Sequence, residues 1–403
     1  MVLRNRLCLA VTALLAIPSL RAQDVPVDTQ TAVVVTSSKP SISSSYYAKH
    51  KGHRYERQTI AMDGGPIGYA VHYRACVDEC HGDRVGIVEG YIGLSAPCNA
   101  NWYGGGCLKL KLNGEDVGTW RLADRRVTDQ GERGGCQYVW ETPMATVRWR
   151  FIMLPGTRYL CAELAWTPKQ PIKQAEVNLL CYPSFFTSAH NRKGERHVVS
   201  SVKDVAQGKP FAIDPSRESY LFYCDHIFDV ARGEGAGPCA AWFDPAAVAG
   251  GHVSIGGYGV STLLKLRPEK NAVRLALWEF PGVSNDAALA ALKADAARIA
   301  ENLPQLDTTP LSLARLDAAK KAKEMTAMLA GLSAADSKLK ERIRGLLDVL
   351  SKRQAATGAP AEWAAEAKLL DALPKLEEAL WQLRIQALLE EGDAIRRNMK
   401  QPK

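Results

Sequence analysis

The hydrophobic period changes once along this chain, near residue 284, and that change restricts the fold more than any motif does. Before it, apolar residues recur at every second position; after it, they recur every third or fourth. A period of two belongs to a strand with one apolar face, and a period near 3.6 to a helix with one apolar stripe. The chain is therefore expected to be a β-rich body followed by an all-helical C-terminal region.

In the body, Leu108, Leu110 and Leu112 alternate with Lys109 and Lys111, and Asn113-Gly114 then supplies a two-residue hairpin turn into 116–122. Val147, Trp149, Phe151 and Met153 alternate with Arg148 and Arg150, and Pro155-Gly156 turns the chain into 158–166. Further strand patterns cover 67–76, 84–94, 176–182, 219–230, 239–243, 252–255, 260–266 and 272–280. So many short strands without intervening helices point to a large antiparallel β-sandwich over 55–283 and disfavour a parallel fold, which needs crossover helices.

Beyond 284, Leu289, Leu292, Ala296, Ile299 and Leu303 form one stripe after a Ser284 or Asn285 cap. This helix, 284–304, is expected to bridge the sandwich and a bundle over 305–398. Thr309-Pro310 opens the second helix, Ser333 the third, and Pro374 is expected to divide the rest into 361–373 and 375–396. Short connections make neighbouring helices antiparallel. With 17 basic and 14 acidic residues beyond 304, the bundle has a mixed, solvated surface.

Residues 1–22 read as a signal peptide: Arg4 and Arg6 precede an apolar run over 7–17, and Ala22 offers a cleavage point. The reading implies a secreted or periplasmic protein, with 23–54 as a flexible polar lead-in dense in serine. No later apolar run is long enough to span a bilayer. The formal charge of +8 falls to +5 without the leader, too mild and too scattered for a nucleic-acid surface. All nine cysteines beyond the leader lie in the β-rich body, and in an exported chain their default use is disulfides. The pairs expected are Cys98 with Cys107, Cys161 with Cys181 and Cys224 with Cys239, with Cys76 and Cys80 bonded to distant partners such as Cys136; the odd count leaves at least one thiol free or paired between chains.

Three clusters carry the candidate chemistry. The first is the loop between Cys98 and Cys107, where Trp102 or Tyr103 would stack on a sugar ring and Asn99 and Asn101 would hydrogen-bond its hydroxyls. Its alternative is a pinned hairpin tip whose tryptophan folds back on the core. The second is Cys76-Val77-Asp78-Glu79-Cys80-His81, which lacks the second ligand pair of a metal site. The third is a set of strand-borne acids and bases: Glu163, Glu279 and His252 as candidate catalytic groups, with His72, Glu89, Arg148 and Arg150. Cross-strand salt bridges on a wet face are the competing account. Whether Arg148 and Arg150 share a face with Glu163 depends on the register across Pro155-Gly156.

Nucleophile-elbow, phosphate-loop, zinc-protease and dinucleotide motifs are absent from the sequence, so no cofactor or metal is expected. The long run of antiparallel strands with sugar-friendly aromatics is similar in architecture to large carbohydrate-active sandwiches such as the galactose-mutarotase-like supersandwich. That similarity implies a fold outline and nothing about activity. The leading expectation is an exported, non-catalytic binding or scaffold protein with a glycan or cell-surface polymer at the aromatic loop and a protein partner on the C-terminal helices. The alternatives are a carbohydrate-active hydrolase or epimerase using strand carboxylates, and a structural envelope component.

Overall fold

The computed structural model describes residues 31–44, 52–78, 85, 91–98, 102, 107–184, 195–232, 236–257, 259–331, 337–356 and 359–399. The segment read as a signal peptide lies outside them. In chain order the first strands are β1 (Val34–Ser37), β2 (Ser41–Ser44), β3 (Arg54–Asp63), β4 (Gly68–Cys76), β5 (Tyr91–Ala96), β6 (Leu108–Leu112) and β7 (Glu115–Asp116). Next come β8 (Leu122–Asp129), β9 (Gly134–Glu141), β10 (Ala145–Met153), β11 (Tyr159–Pro168), β12 (Ala175–Cys181), β13 (Arg196–Val199) and β14 (Asp204–Ala206). The last are β15 (Phe211–Ile213), β16 (Tyr220–Asp225), β17 (Cys239–Phe243), β18 (Val248–Ile255), β19 (Val260–Leu266) and β20 (Ala272–Glu279). The helices are α1 (Asn285–Asn302), α2 (Leu311–Ala314), α3 (Ala318–Gly331), α4 (Ser337–Ala355) and α5 (Ala359–Met399).

The strands form two antiparallel sheets. One has eleven strands, ordered β1-β3-β4-β5-β6-β12-β19-β18-β15 with β2 beside β3 and β7 beside β6; the other has nine, ordered β14-β13-β16-β17-β20-β11-β10-β9-β8. Their inner faces enclose the main core, to which Leu108, Leu110, Leu112, Val147, Trp149, Phe151, Leu275 and Leu277 all contribute. The two clearest alternating patterns thus meet in one apolar layer, while Lys109 and Lys111 remain on the outer face of the larger sheet.

The outer face of the nine-stranded sheet is covered instead. Tyr220, Phe222, Cys224, Trp242, Ala276 and Trp278 bury against Ala288, Leu292 and Ile299 of α1. The Ser284 side chain accepts from the Ala287 N–H and starts that helix. Helices α3, α4 and α5 close a third core around Met325, Ile343, Leu350, Leu369, Leu376 and Leu383. The architecture has three layers, sheet on sheet on helices.

Several local expectations change. Two short strands, β1 and β2, fall in the segment expected to be a flexible lead-in, and both line the free edge of β3. The strand expected over 116–122 is cut to two residues: a short 3-10 turn over Val117–Thr119 follows and hands the chain to the other sheet. The second helix is split into α2 and α3, because the Asp317 carboxylate accepts the Lys320 N–H at 2.8 Å and caps a new start. Pro374 does not divide the last helix. α5 runs through it as 41 residues, about 60 Å long. The proline removes one backbone donor, and burial of Leu369, Leu376, Ala379 and Leu380 on either side holds the helix continuous. No described helix is long and apolar enough to cross a membrane.

The Leu292 side chain of α1 is completely buried against the sheet. Leu292→Ala is expected to lower stability by about 2–5 kcal/mol in urea denaturation. A change below about 0.5 kcal/mol, the scale of surface substitutions, would show that α1 is not part of the sandwich's core.

Candidate functional site

The hairpin across Pro155-Gly156 settles the question of sidedness. Arg150 pairs directly with Glu163, so Arg148, Arg150 and Glu163 share one face of the nine-stranded sheet. That face is buried under the helices and is not wet. Arg148 Nη2 lies 3.5 Å from Glu163 Oε1, and Arg274 Nε donates to Glu163 Oε2 at 3.0 Å. The Thr308 hydroxyl donates to the other Glu163 oxygen at 2.7 Å.

The network continues into α5. Glu366 forms an ion pair with Arg150 and lies 3.6 Å from Arg148, whose guanidinium sits 4.2 Å from the centre of the Trp363 ring. Arg150 also donates to the Thr308 carbonyl at 2.8 Å and to Gln137 Oε1. Close by, Arg133 donates to the carbonyls of Asp307 and Thr309, and the Leu311 N–H donates to Asp129. Burial lowers the pKa of Arg150 to about 10, with Arg148 beside it pushing the same way and Glu366 opposing. Charged hydrogen bonds therefore lock the 303–311 linker and α5 onto the sheet. Glu366, Trp363 and Thr308 give no signal in the sequence, because a helix and a linker carry no periodic sign that they meet a particular strand.

The other candidate acid points the opposite way. Glu279 lies on β20 with Leu275 and Leu277, facing the inside of the sandwich, whereas Arg274, Ala276 and Trp278 face the helices. Glu163 and Glu279 are thus separated by the thickness of one sheet and do not form a catalytic pair. The Glu279 N–H donates to the Tyr69 hydroxyl at 3.0 Å, and that hydroxyl donates to the Arg158 carbonyl at 2.9 Å. Burial, reinforced by the Glu279 charge, pushes the Cys98 thiol up. His252 is exposed on the outer face of β18, in the other sheet.

Trp102 is fully buried, donates its indole N–H to the Trp278 carbonyl at 3.3 Å and meets the Tyr223 ring edge-on at 5.6 Å. It is a core residue and not a platform for a sugar. Asn99, Asn101 and Tyr103 lie outside the described residues, as do Glu89, Cys80 and His81.

The expected disulfides are not formed: among the described residues, Cys98, Cys107, Cys136, Cys161, Cys181, Cys224 and Cys239 are buried free thiols. Cys161 faces α1 while Cys181 lies between the sheets, so a whole sheet separates them. Cys224 and Cys239 sit on neighbouring strands, but Tyr223 is the residue opposite Cys239, which puts Cys224 on the other face. Cys98 directs its thiol to the Ala236 carbonyl at 3.4 Å and not to Cys107. Burial raises the Cys136, Cys161 and Cys224 thiols to about 12, where they stay protonated.

An open cleft of about 330 Å³ lies between the sheets near the β4 end, lined by Glu56, Tyr73, Cys76, Arg121, Asp124 and Arg125. Arg125 pairs with Glu56 and stands 5.9 Å from the Tyr73 ring, and Arg121 donates to the carbonyls of Cys76 and Asp78. A second groove of about 480 Å³ separates β8 from α5 and is lined by Arg126, Thr128, Ser312 and Asp371. These grooves offer mixed-charge, hydrogen-bonding surfaces.

No family model matches the sequence, and no curated protein matches it. Among solved structures, a GH36 α-galactosidase from Geobacillus stearothermophilus is similar at a TM-score of 0.31 and 8% identity, over 60% of this chain and 41% of that one. A TPR-domain containing protein from Parabacteroides distasonis is similar at 0.36 and 8%, over 88% and 80%. A putative aldose 1-epimerase from Escherichia coli K12 is similar at 0.32 and 9%, over 56% and 99%. The chain spans about two-fifths of the length of the α-galactosidase it matches. Similarity at this level says nothing about chemistry.

Two outcomes follow from the buried groups. Glu366→Ala strips Arg148 and Arg150 of a counter-charge, and breaking a buried pair in this way costs about 3–5 kcal/mol. Limited proteolysis should then cut within α2–α5 far faster than in the parent chain; unchanged cleavage and stability would refute the clamp. His72 is buried on the outer side of β4, its ring resting on Gly93, and its pKa is lowered to about 3, first by burial and then by Arg57 and Arg74. The unfolded chain therefore binds a proton below pH 6.5 that the folded chain refuses, and stability falls as pH drops from there towards 3. His72→Gln should flatten the dependence of unfolding free energy on pH between 6.5 and 4 by on the order of 1 kcal/mol per pH unit. An unaltered slope would place the titration elsewhere.

Proposed function

We propose that this is an exported, non-catalytic scaffold protein, whose sandwich is a ligand-bearing body and whose helical arm joins one copy to another. The observation that carries this reading is an apolar stripe on the distal part of α5. Core contacts of the bundle end at Leu383. Beyond or beside that point Trp381, Leu388, Leu389, Ile395 and Met399 stand more than half exposed, with Ile385 partly so. Trp381, Ile385, Leu388, Gly392, Ile395 and Met399 follow one another at alternating spacings of four and three, the repeat of a coiled-coil seam. Gly392 has open space around it, which permits close approach of a second helix.

The occupant proposed for the stripe is a second copy of this chain in parallel orientation. In that register Glu391 of one copy faces Arg396 of the other, and the pair occurs twice by symmetry. The seam has fewer than three heptads, which is short for free helices, but here the clamp and the bundle hold each helix preformed.

The non-catalytic part of the reading is supported by the opposite facing of Glu163 and Glu279, and by the use of Glu163 in the clamp. For a ligand, the polar cleft at Tyr73, Arg121 and Arg125 replaces Trp102 as the proposed contact for a glycan or cell-surface polymer.

Light scattering on purified residues 23–403 should give the mass of two copies, and Leu388→Glu, which alters an exposed side chain only, should give the mass of one. A monomeric parent, or a dimer indifferent to Leu388→Glu, would overturn the assembly reading. A glycan panel that records released product as well as retention tests the rest. Product release would move the protein to the carbohydrate-active class.

A further inference from the structure

Three metal-type donors meet at the edge of the nine-stranded sheet, away from the clamp, the cleft and the α5 stripe. They are His197 on β13, Asp204 on β14 and His226 immediately after β16. The backbone register alone puts them together. Val199 pairs with Asp204 and His197 pairs with Cys224, so Asp204, His197, Cys224 and the residue two beyond it share one face. Val198 points the other way, into the sandwich core.

The side chains complete the arrangement. His197 Nδ1 lies 2.9 Å from Asp204 Oδ1, and the His197 and His226 rings stack with centroids 3.4 Å apart and planes 11° from parallel. One donor atom from each of the three residues lies within 4.8 Å of the other two. His197 is largely buried, whereas Asp204 and His226 are exposed, so solvent reaches the group from one side.

Two imidazoles and one carboxylate form a nitrogen-rich donor set. Calcium and magnesium take oxygen ligands, while zinc, nickel and copper favour imidazole.

We propose that His197, Asp204 and His226 bind one divalent late first-row transition ion, with zinc as the representative case. Three protein ligands leave at least one position for water. His197 is the fixed ligand, held by its burial and by strand pairing. The exposed His226 ring turns out of the stack to aim its nitrogen at the ion. Because the ligands come from β14, from β13 beside it and from the residue that follows β16, the bound ion ties down an edge whose outermost strand has only three residues. The proposal stands independently of assembly through α5.

The test is calorimetric titration of the untagged, chelator-stripped chain with zinc chloride, alongside His197→Ala, His226→Ala and Asp204→Asn. The expected result is a saturable one-to-one site that each variant weakens by more than the roughly tenfold to hundredfold that disturbing a ligand's own hydrogen-bond partner costs. His252→Ala, at an exposed histidine of the other sheet, should bind as the parent does. Zinc should also raise the parent's melting midpoint and not that of His226→Ala, a surface substitution that spares the fold. Absence of saturable binding, or full retention of it in both His197→Ala and His226→Ala, would overturn the assignment.

Discussion

The structure depends on covering a sheet face that is apolar at one end and charged at the other. The nine-stranded sheet turns one face inward to the sandwich and leaves Trp242, Trp278 and Phe222 on the outside beside Arg148, Arg150 and Glu163. Neither half is stable as it stands. The aromatic half needs apolar cover, which α1 provides. The charged half needs counter-charge and hydrogen-bond partners that water would otherwise give, and Glu366, Thr308 and Gln137 supply them.

This division assigns different work to the helices. α1 is held by nondirectional apolar contact, whereas α5 is positioned by directional pairs at Glu366 and at Asp371, which accepts from Arg126 at 2.8 Å. The arm is thus oriented as well as attached. A clamp near the start of α5 fixes the direction in which its distal, apolar end projects. Charges inside the strand pattern that resemble catalytic groups turn out to be the means by which a helical layer is set on a sheet.

The thiols show the same dependence on facing. Cys107, Cys136, Cys181 and Cys239 lie in the apolar layer between the sheets, and Cys161 and Cys224 in the layer under α1. Pairing by nearness in sequence fails because adjacent strands alternate their faces and consecutive runs belong to different sheets. Cys239 is raised first by burial and then by Cys181, which reaches it from the opposite sheet.

Local periodicity determined much of this protein by itself. The change at 284, the alternation over 108–112 and 147–153, the turns at Asn113-Gly114 and Pro155-Gly156 and the Ser284 cap all rest on neighbours within a few residues, and all appear in the structure. Strands such as β9, with its paired glycines, and β8, dense in charge, gave a weaker periodic signal, since their identity comes from the neighbours they pair with. Alternation also states that a strand has two unlike faces without saying what lies over the second. Lys111 meets solvent while Arg150, equally charged and equally alternating, is buried under α5. Only the tertiary structure decided that difference, because the partner of Arg150 is more than two hundred residues away. The same reason accounts for Trp102 in the core, for Glu163 and Glu279 on opposite faces, and for the meeting of His197, Asp204 and His226, whose spacing of seven and then twenty-two residues matches no local ligand pattern.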